Sequence, residues 1–371
     1  MSGVILMTGA TGFLGMDALA RLIERDREQI VVLVRARDDD GARERLDEVL
    51  ARLYDELPAA AARVSAVRGD LLEPALGLSA PDRAWLIASV DRIVHCAASI
   101  SFELPLEQAR EINVGGVQRM LELAREIAAG GTLRRLVHVS TAYVSGRHAG
   151  EFGEQDLDVG QEFRNTYEQS KFESETMIRT EADHLPWIVL RPSIIVGDQS
   201  SGWTSAFNVM YWPLRALSTG LFRAVPAMPE SPLDIVSIDY VADAIYELCE
   251  CPQDSAHKTF LLTASEDASS FSEIVSLASR YFRKPEPEAV SPAEFATGAG
   301  SLSDAAMESI RVYFPYFAIA TVFDNARTRA RLAPAGIHCT PLREYMHRLL
   351  DFATMSRWGK RPIARAEAPT G

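Results

Sequence analysis

A tyrosine and a lysine four positions apart, Tyr167 and Lys171, are the side chains of this sequence best suited to proton transfer. On a helix, residues at i and i+4 lie on one face, so the phenol and the ammonium group are predicted to be neighbours. A phenol with its ordinary pKa of about 10 is a poor acid–base catalyst at neutral pH. A nearby ammonium group lowers that pKa and makes the phenol a usable proton donor or acceptor. Because this spacing also arises by chance, an exposed pair on a surface helix is the alternative.

Hydroxyl residues at the end of a predicted strand support a proton-transfer site. An apolar run over 136–139 leads directly into Ser140 and Thr141. Ligands of open α/β sheets bind at the carboxyl ends of the strands, so Thr141 is predicted to hydrogen-bond a substrate oxygen beside Tyr167. Ser140 competes for this role, and Tyr143 competes with Tyr167 as the acid.

Three glycines lie between the first predicted strand and the first predicted helix. The first glycine allows a tight turn, the second lets the backbone approach a pyrophosphate, and the third lets the helix pack on the strand. The helix N-terminus adds N–H donors and a favourable dipole. This placement predicts a dinucleotide site, with a turn that holds no ligand as the alternative. The stretch is Gly9-Ala10-Thr11-Gly12-Phe13-Leu14-Gly15.

The charge after the second predicted strand bears on the choice of dinucleotide. An NAD site usually has an acidic residue there, whereas this chain has Arg35, which suits a 2′-phosphate. Arg45 or Arg43, on the next predicted helix, could close the same pocket. NADP is therefore favoured over NAD, with solvated surface arginines as the alternative. Asp70 and Leu71, after the third strand, are predicted to contact the adenine.

Short apolar runs alternate with helical patterns through the first two thirds of the chain. Runs without polar alternation indicate parallel strands buried on both faces, and the alternation with helices predicts a doubly wound α/β sheet. His95 and His138 lie within such runs and are predicted to be hydrogen-bonded core histidines. The predicted strands are 4–7, 30–34, 64–67, 93–95, 136–139, 187–190, 233–236 and 259–262. The predicted helices are 13–25, 42–57, 106–129, 167–181 and 239–248.

The pattern changes after residue 200 and predicts a second, mostly helical part. Residues 1–200 are predicted to form an NADP-binding Rossmann domain, to which 233–263 return. Residues 201–232 and 264–358 are predicted to form a smaller substrate-binding domain. The aromatic stretch from Trp203 to Phe222 could line an apolar pocket, although ordinary core packing is an equal alternative. Residues 359–371 lack apolar periodicity and are predicted to be a flexible tail.

Composition excludes several classes of function. A net charge of −13 over 371 residues argues against a nucleic-acid surface. Neither a signal peptide nor an apolar stretch of the roughly 20 residues that a membrane span requires is present. The oligomeric state is left open. The cysteines match no zinc-binding spacing, so no metal, reduced thiols and a cytoplasmic location are expected; they are Cys96, Cys249, Cys251 and Cys339.

These motifs together resemble the extended short-chain dehydrogenase/reductase superfamily over roughly residues 1–200. The matching residues are the glycine turn, Asp70-Leu71, His95-Cys96-Ala97-Ala98, Asn113, Ser140-Thr141, Tyr167-x-x-x-Lys171 and Arg191-Pro192. The resemblance implies that Thr141, Tyr167 and Lys171 are catalytic, and that Lys171 also contacts the nicotinamide ribose. It implies a structural or proton-relay role for Asn113. Further implied cofactor contacts lie at Ala97, Ala98, Asn113, Pro192 and Ile194.

Within the superfamily, the sequence resembles the thioester reductase and fatty acyl reductase branch, including the reductase domain of carboxylic acid reductases. It shares with this branch the sequence motifs Val34-Arg35-Ala36, Ala97-Ala98-x-x-x-Phe102, Ser-Thr-Ala-Tyr-Val over 140–144 and Arg-Pro-Ser-Ile-Ile-Val-Gly-Asp over 191–198. Sugar-nucleotide epimerases commonly have Val-Tyr-Gly where this chain has Val144-Ser145-Gly146. The resemblance implies reduction of an acyl thioester to an aldehyde by NADPH, with further reduction to the alcohol left open.

Two departures from that branch shape the expected partner. The C-terminal domain of eukaryotic fatty acyl reductases has no room here, and no carrier protein precedes the glycine turn. A freestanding enzyme is therefore expected to receive its acyl group from coenzyme A or a separate carrier protein. The match weakens beyond about residue 240. The alternatives are a hydroxysteroid- or dihydroflavonol-type dehydrogenase, a sugar-nucleotide epimerase and a non-catalytic NADP sensor.

Overall fold

Ten α-helices lie within the residues that the structure, a computed structural model, describes, namely 3–220, 223–250, 256–291, 295 and 313–369. In chain order they are α1 (Phe13–Arg25), α2 (Asp39–Leu53), α3 (Ala80–Ser89), α4 (Leu106–Ala129), α5 (Thr166–Glu181), α6 (Tyr211–Thr219), α7 (Ile238–Cys249), α8 (Phe271–Phe282), α9 (Ala326–Leu332) and α10 (Leu342–Met355).

The bounds of the helices differ from the predicted ones where a side chain caps the backbone. Helix α2 begins before the predicted residue 42 because Asp38 accepts a hydrogen bond from the Gly41 N–H at 2.8 Å. It ends before residue 57 because Tyr54 has extended backbone angles. Helix α3 was not predicted; Ser79 caps it by accepting from the Asp82 N–H at 3.2 Å.

The strands of the described part include one long set and several short ones. They are β1 (Val4–Thr8), β2 (Gln29–Val34), β3 (Val64–Arg68), β4 (Val90–His95), β5 (Arg135–Val139), β6 (Gly150–Gly153), β7 (Trp187–Pro192), β8 (Ile194–Val196), β9 (Ala224–Pro226), β10 (Pro232–Leu233), β11 (Ile235–Ser237), β12 (Lys258–Leu262), β13 (Ser269–Ser270), β14 (Glu288–Val290) and β15 (Thr321–Asp324).

A seven-stranded sheet has the order β12-β7-β5-β4-β1-β2-β3, and every neighbouring pair in it is parallel. The chain order reverses between β1 and β4, which opens a crevice at the carboxyl ends of these two strands. Helices α1, α2 and α7 cover one face through a shared apolar cluster, and α4 and α5 cover the other. The predicted doubly wound Rossmann sheet is confirmed.

The later part of the chain forms a second apolar cluster around α6, α8 and α10. It contains more strand than predicted, because β8 pairs with β11, β9 with β14 and β10 with β13. Strand β12 returns to the edge of the main sheet beside β7, and α7 packs on α1. The division of the chain into two domains stays a prediction.

The segment from residue 359 to 369 is packed rather than frayed, so the predicted flexible tail is wrong for its described part. The Trp203 indole N–H donates to the Ile363 carbonyl at 3.0 Å, and Arg365 pairs with Glu24 at 2.9 Å. Ala368 is buried in the apolar cluster that includes α1, α2 and α7. Single side-chain contacts hold this segment, which explains why it lacks a periodic apolar pattern.

Candidate active site

The glycine turn has the geometry that its sequence predicts. Gly9 has a φ of +79°, and a Cβ there would lie 2.6 Å from the Ala97 nitrogen. A Cβ at Gly15 would overlap the Gly9 carbonyl oxygen. The Gly12 N–H donates to that same oxygen at 2.9 Å, which closes the turn. Gly9 and Gly15 are therefore required for close packing, whereas Gly12 faces outward.

The N-terminus of α1 can hold an anion. The first helical hydrogen bond runs from the Met16 N–H to the Gly12 carbonyl at 3.0 Å, so the three preceding N–H groups have no helical acceptor. No acidic residue lies in the first turn and no side chain caps the helix. Phe13 and Leu14 line the cleft described below, whereas Thr11 lies in the turn without lining it. These free donors fit a pyrophosphate.

A cleft with a volume of about 350 Å³ begins at the glycine turn and reaches the predicted catalytic residues. Thr141, Tyr167 and Lys171 all line it, at the carboxyl end of β5 and on the first turns of α5. Helix α5 begins at Thr166 because Asn165 caps it by accepting from the Glu168 N–H at 3.0 Å. This cap places the phenol at the cleft.

The phenol of Tyr167 is protonated at neutral pH. Burial raises the pKa of Tyr167 to about 12, although a hydrogen bond with the Thr141 hydroxyl acts in the opposite direction. The prediction that Lys171 lowers this pKa is wrong, because Thr141, not Lys171, provides the lowering contact. A protonated phenol is a proton donor rather than a base.

The ammonium group of Lys171 lies at the bottom of the cleft. Its Nζ donates to the Val139 carbonyl at 2.8 Å, and its side chain is buried. Burial lowers the pKa of Lys171 to about 8, with Glu175 and Cys96 acting in the opposite direction. Lys171 is thus mostly charged at pH 7 but loses its proton within the physiological range.

The two neighbouring hydroxyls at the end of β5 have different partners. The Ser140 hydroxyl donates to the buried Glu175 carboxylate at 2.8 Å, so its proton is engaged away from a substrate. The Thr141 hydroxyl accepts from the Tyr143 N–H at 3.2 Å and donates to the Pro192 carbonyl only at the long distance of 3.4 Å. This arrangement favours Thr141 over Ser140 as the group that contacts a substrate oxygen. The Tyr143 hydroxyl donates to the Asp234 carbonyl at 3.4 Å, so its proton is directed away from a substrate.

Two buried histidines stack beneath the lysine, with ring centroids 5.5 Å apart. His95 Nδ1 hydrogen-bonds the Thr8 hydroxyl at 2.7 Å, as expected for a satisfied core histidine. Neither ring nitrogen of His138 has a hydrogen-bond partner in the part of the chain that the structure describes, so that prediction is wrong for His138. Burial lowers the pKa of His95 to about 3 and that of His138 well below its usual range. Both rings are therefore neutral.

Asn113 does not line the cleft, and the cofactor contact predicted for it stays a prediction. Its amide oxygen accepts from the Ser99 N–H at 2.8 Å, and its amide nitrogen donates to the Ser99 carbonyl at 3.0 Å and the Ser170 hydroxyl at 2.9 Å. These contacts tie the segment after β4 to helix α5. The structural alternative predicted for this residue fits the geometry.

Some of the remaining predicted cofactor residues line the cleft and others do not. Ala98, Pro192 and Ile194 line the cleft, whereas Ala97 packs beneath Gly9 without lining it.

Four predicted residues do not line the cleft; three of them follow β2 or β3, and Arg45 lies on α2. Arg35 is exposed and forms no ion pair within the described ranges, and Arg45 donates to its carbonyl. The Asp70 carboxylate accepts from the Leu72 N–H at 3.0 Å, while the Leu71 carbonyl accepts from Arg119 at 2.9 Å.

The sequence reasoning missed an aromatic wall that faces the phenol. The Phe102 ring lies 5.8 Å from the Tyr167 ring and stacks on Tyr316 at 5.4 Å. The Tyr316 hydroxyl donates to the buried Glu168 carboxylate at 2.8 Å. No local motif around residue 316 indicates this contact with α5. Other missed lining residues are Cys96, Ile100, Val139, Ser193, Ile195, Asn208 and Val209.

The aromatic stretch after residue 202 has a mixed outcome. Trp203 and Tyr211 are core residues, and Trp212 is exposed. Phe222 lies outside the described residues. Only Asn208 and Val209 of this stretch line the cleft, so core packing is the main role of its described aromatic rings.

Two other kinds of site are absent from the described ranges. No group of histidine, cysteine, aspartate or glutamate side chains there could hold a metal ion. Cys251 of the cysteine set lies outside those ranges. None of the helices described combines the length and the apolarity needed to cross a membrane.

Residues 7–245, more than half of the chain, match the sequence model of a family of NAD-binding domains described as Male sterility protein. The chain belongs to this family. The family match and the glycine turn together indicate a nicotinamide cofactor, and the resemblance predicted from the motifs is confirmed.

Proteins similar to this chain include fatty acyl-CoA reductase 1 of Xenopus laevis. It is 28% identical over 274 residues, which cover 64% of this chain and 53% of that protein. The Homo sapiens protein of the same name is 29% identical over the same shares. The chain therefore spans about half the length of these curated relatives.

Solved structures match over nearly the whole chain. The terminal R domain of the myxalamid PKS-NRPS biosynthetic pathway has a TM-score of 0.83 at 26% identity, over 98% of this chain and 93% of that one. The reductase (R) domain of a nonribosomal peptide synthetase from Mycobacterium tuberculosis has a TM-score of 0.75 at 23% identity, over 97% and 93%. The latter likeness establishes the fold alone.

Proposed function

We propose that the protein reduces an acyl thioester, carried by coenzyme A or a separate carrier protein, to an aldehyde with NADPH. The observation that carries this proposal is a single cleft that joins the glycine turn to Thr141, Tyr167 and Lys171. The relatives named as fatty acyl-CoA reductases support a coenzyme A thioester. A thiolation-reductase di-domain among the similar structures supports a carrier-bound one.

The net reaction converts thioester, NADPH and a proton to aldehyde, free thiol and NADP⁺. The bound nicotinamide supplies a hydride to the carbonyl carbon. Thr141 and Tyr167 would donate hydrogen bonds to the carbonyl oxygen as negative charge develops, and the Tyr167 phenol would transfer its proton. When the carbon–sulfur bond breaks and the carbonyl re-forms, the proton returns to Tyr167. The released thiolate takes a proton from solvent.

The proposed preference for NADPH is supported by the side chains between β2 and α2 and on α2. Arg35 is exposed and free to meet a 2′-phosphate, and Arg45 fixes the backbone next to it. The carboxylate of Asp38 is engaged by the Gly41 N–H at the start of α2. A ribose 2′-OH would have to compete for that carboxylate.

The test is NADPH oxidation, followed at 340 nm, with a panel of acyl-CoA thioesters and a panel of ketones. We expect release of one thiol per NADPH and an aldehyde by mass spectrometry. Tyr167→Phe should lower turnover by about 10²–10⁴ while still binding NADPH. Tyr54→Phe, which removes an exposed hydroxyl bound to Glu24 far from the cleft, is the matched control and should not change turnover.

Each other outcome identifies a rival function. Ketone reduction without thioester reduction would indicate a hydroxysteroid- or dihydroflavonol-type dehydrogenase. NAD that co-purifies and is regenerated during turnover would indicate an epimerase. Cofactor binding with no turnover on any carbonyl or thioester would indicate a non-catalytic sensor. A Tyr167→Phe variant with full turnover would refute the assignment of the proton donor.

A further inference from the structure

A carboxylate with no exposed surface, Glu175, lies one helical turn beyond Lys171 on α5. It accepts hydrogen bonds from Arg191 Nη2 at 2.7 Å and Arg191 Nε at 3.0 Å, and from Arg179 Nε at 3.0 Å. Its second oxygen accepts from the Ser140 hydroxyl at 2.8 Å. A charge removed from water to this extent is retained only when its partners compensate for the lost hydration.

The partners of Glu175 come from the strands that carry the cleft residues. Ser140 immediately precedes Thr141 at the end of β5, and Arg191 immediately precedes Pro192 at the end of β7. The Thr141 hydroxyl lies 3.4 Å from the Pro192 carbonyl, so these two strand ends also meet each other. One carboxylate thus connects the Thr141 segment, the Pro192 segment and the helix of Tyr167 and Lys171.

We infer that Glu175 is a positioning residue, which fixes the Thr141 strand end against α5 and keeps Lys171 in its ammonium form for dinucleotide binding. The part concerning Thr141 rests on the proposed function, whereas the part concerning Lys171 requires only that the dinucleotide binds.

The surroundings of Lys171 make Glu175 the group on which its charge depends. From β4, β5 and the segment after β4, Lys171 faces His95, His138 and Cys96, of which the two histidines are neutral. Burial raises the pKa of the Cys96 thiol to about 12, so the thiol is neutral as well.

The carboxylate itself remains ionised. Although burial acts to raise the pKa of Glu175, its contacts with Arg191, Arg179 and Ser140 hold that pKa below its usual range. If Glu175 were neutral, Lys171 would lose the carboxylate that acts to raise its pKa, while the burial that lowers this pKa would remain. Lys171 would therefore lose its proton at a lower pH.

The first test measures NADPH affinity by fluorescence from pH 6 to pH 10, which requires no thioester turnover. We expect the affinity of the unmodified protein to weaken above about pH 8, as Lys171 loses its proton. Glu175→Gln should move the midpoint of this loss to lower pH by about one pH unit. Glu175→Asp should restore it. Glu173→Gln, on the same helix but paired with the exposed Arg110, is the control and should match the unmodified protein.

The second test separates positioning from charge and stays informative if Glu175→Gln does not fold. Ser140→Ala keeps the carboxylate and its arginines but removes the link to the Thr141 strand end. We expect about fivefold lower kcat on acyl-CoA, the equivalent of one hydrogen bond of about 1 kcal/mol, with the NADPH midpoint unchanged.

Three results would overturn the inference. One is a folded Glu175→Gln protein with an unchanged NADPH midpoint, and another is an NADPH affinity of the unmodified protein that does not depend on pH. The third is a Ser140→Ala protein with full kcat. If no thioester is reduced at all, the proposed function fails, while the NADPH measurement still decides the role of Glu175.

Discussion

Replacing Asp17 by asparagine is predicted to stabilise the protein at neutral and alkaline pH but not at acidic pH. Asp17 lies in α1 and is 1% exposed, and its Oδ2 has no hydrogen-bond partner among the residues described. Burial raises the pKa of Asp17 to about 7; Asp198 and Asp239 act in the same direction, and Arg365 and Arg21 oppose it.

The size of the effect follows from that pKa. An ordinary aspartate has a pKa of 3.8, so folding raises the pKa of Asp17 by about three pH units. At 1.36 kcal/mol for each unit, ionising Asp17 in the folded state costs about 4 kcal/mol. Because folding raises this pKa, the protonated Asp17 carboxyl contributes stability that is fully present below pH 3.8. This contribution is lost as the pH rises through 7. Asparagine resembles the protonated form at every pH.

The measurement is urea unfolding followed by circular dichroism at pH 4, 5, 6, 7 and 8. The free energy of unfolding of Asp17→Asn should match that of the unmodified protein at pH 4 and exceed it by about 2–4 kcal/mol at pH 8. Glu24→Gln is the control, because Glu24 lies on the same helix and shares Arg365 but is 35% exposed. An exposed pair contributes less than about 1 kcal/mol. A difference for Asp17→Asn that stays constant between pH 5 and 8 would refute the reasoning.

Three further predictions concern the cofactor site. Turnover at saturating acyl-CoA should be constant from pH 6 to 7 and fall above 8, because burial lowers the pKa of Lys171 to about 8 and the ammonium form disappears; a rate–pH profile shows this. Arg35→Ala should weaken NADPH binding about tenfold, about 1.4 kcal/mol, and leave NADH binding unchanged, as measured by fluorescence titration. Gly15→Ala should abolish dinucleotide binding in a protein that still folds, because its Cβ would overlap the Gly9 carbonyl. Gly153→Ala, whose new Cβ would lie at an ordinary contact distance of 3.6 Å from the Asp156 carboxylate, serves as the control.

The main sheet was predictable because six of its seven strands are buried at every position or at all but one. Each of the seven strands contains a predicted apolar run, and β1, for example, is buried at all five positions. The glycine turn was predictable for a related reason. A Cβ at Gly9 or Gly15 is excluded by backbone atoms only a few residues away or on the adjacent strand end, so the local sequence carries the constraint.

The aromatic wall was not predictable, because its members meet only through the tertiary fold. Phe102 follows β4, whereas Tyr316 lies more than 200 residues later, between β14 and β15. The packing of the last described segment has the same origin, since Arg365 reaches Glu24 across the chain. Such long-range contacts produce no periodic pattern in the sequence.

The pKa of the phenol was misjudged because spacing on a helix says nothing about burial. Tyr167 and Lys171 do share the cleft, as i and i+4 positions predict. Yet the Lys171 ammonium group bonds the Val139 carbonyl, and burial is the largest influence on the pKa of the phenol. Burial of the cleft floor sets the pKa of Tyr167, and the spacing of the two residues does not reveal that burial.

The same burial keeps the proton donor of the cleft in its active form. With a pKa of about 12, the phenol of Tyr167 outnumbers its phenolate by about 10⁵ at pH 7, so nearly every molecule can donate a proton to a developing oxyanion. A single physical cause, exclusion of water from the cleft floor, therefore holds the proton donor in its active form.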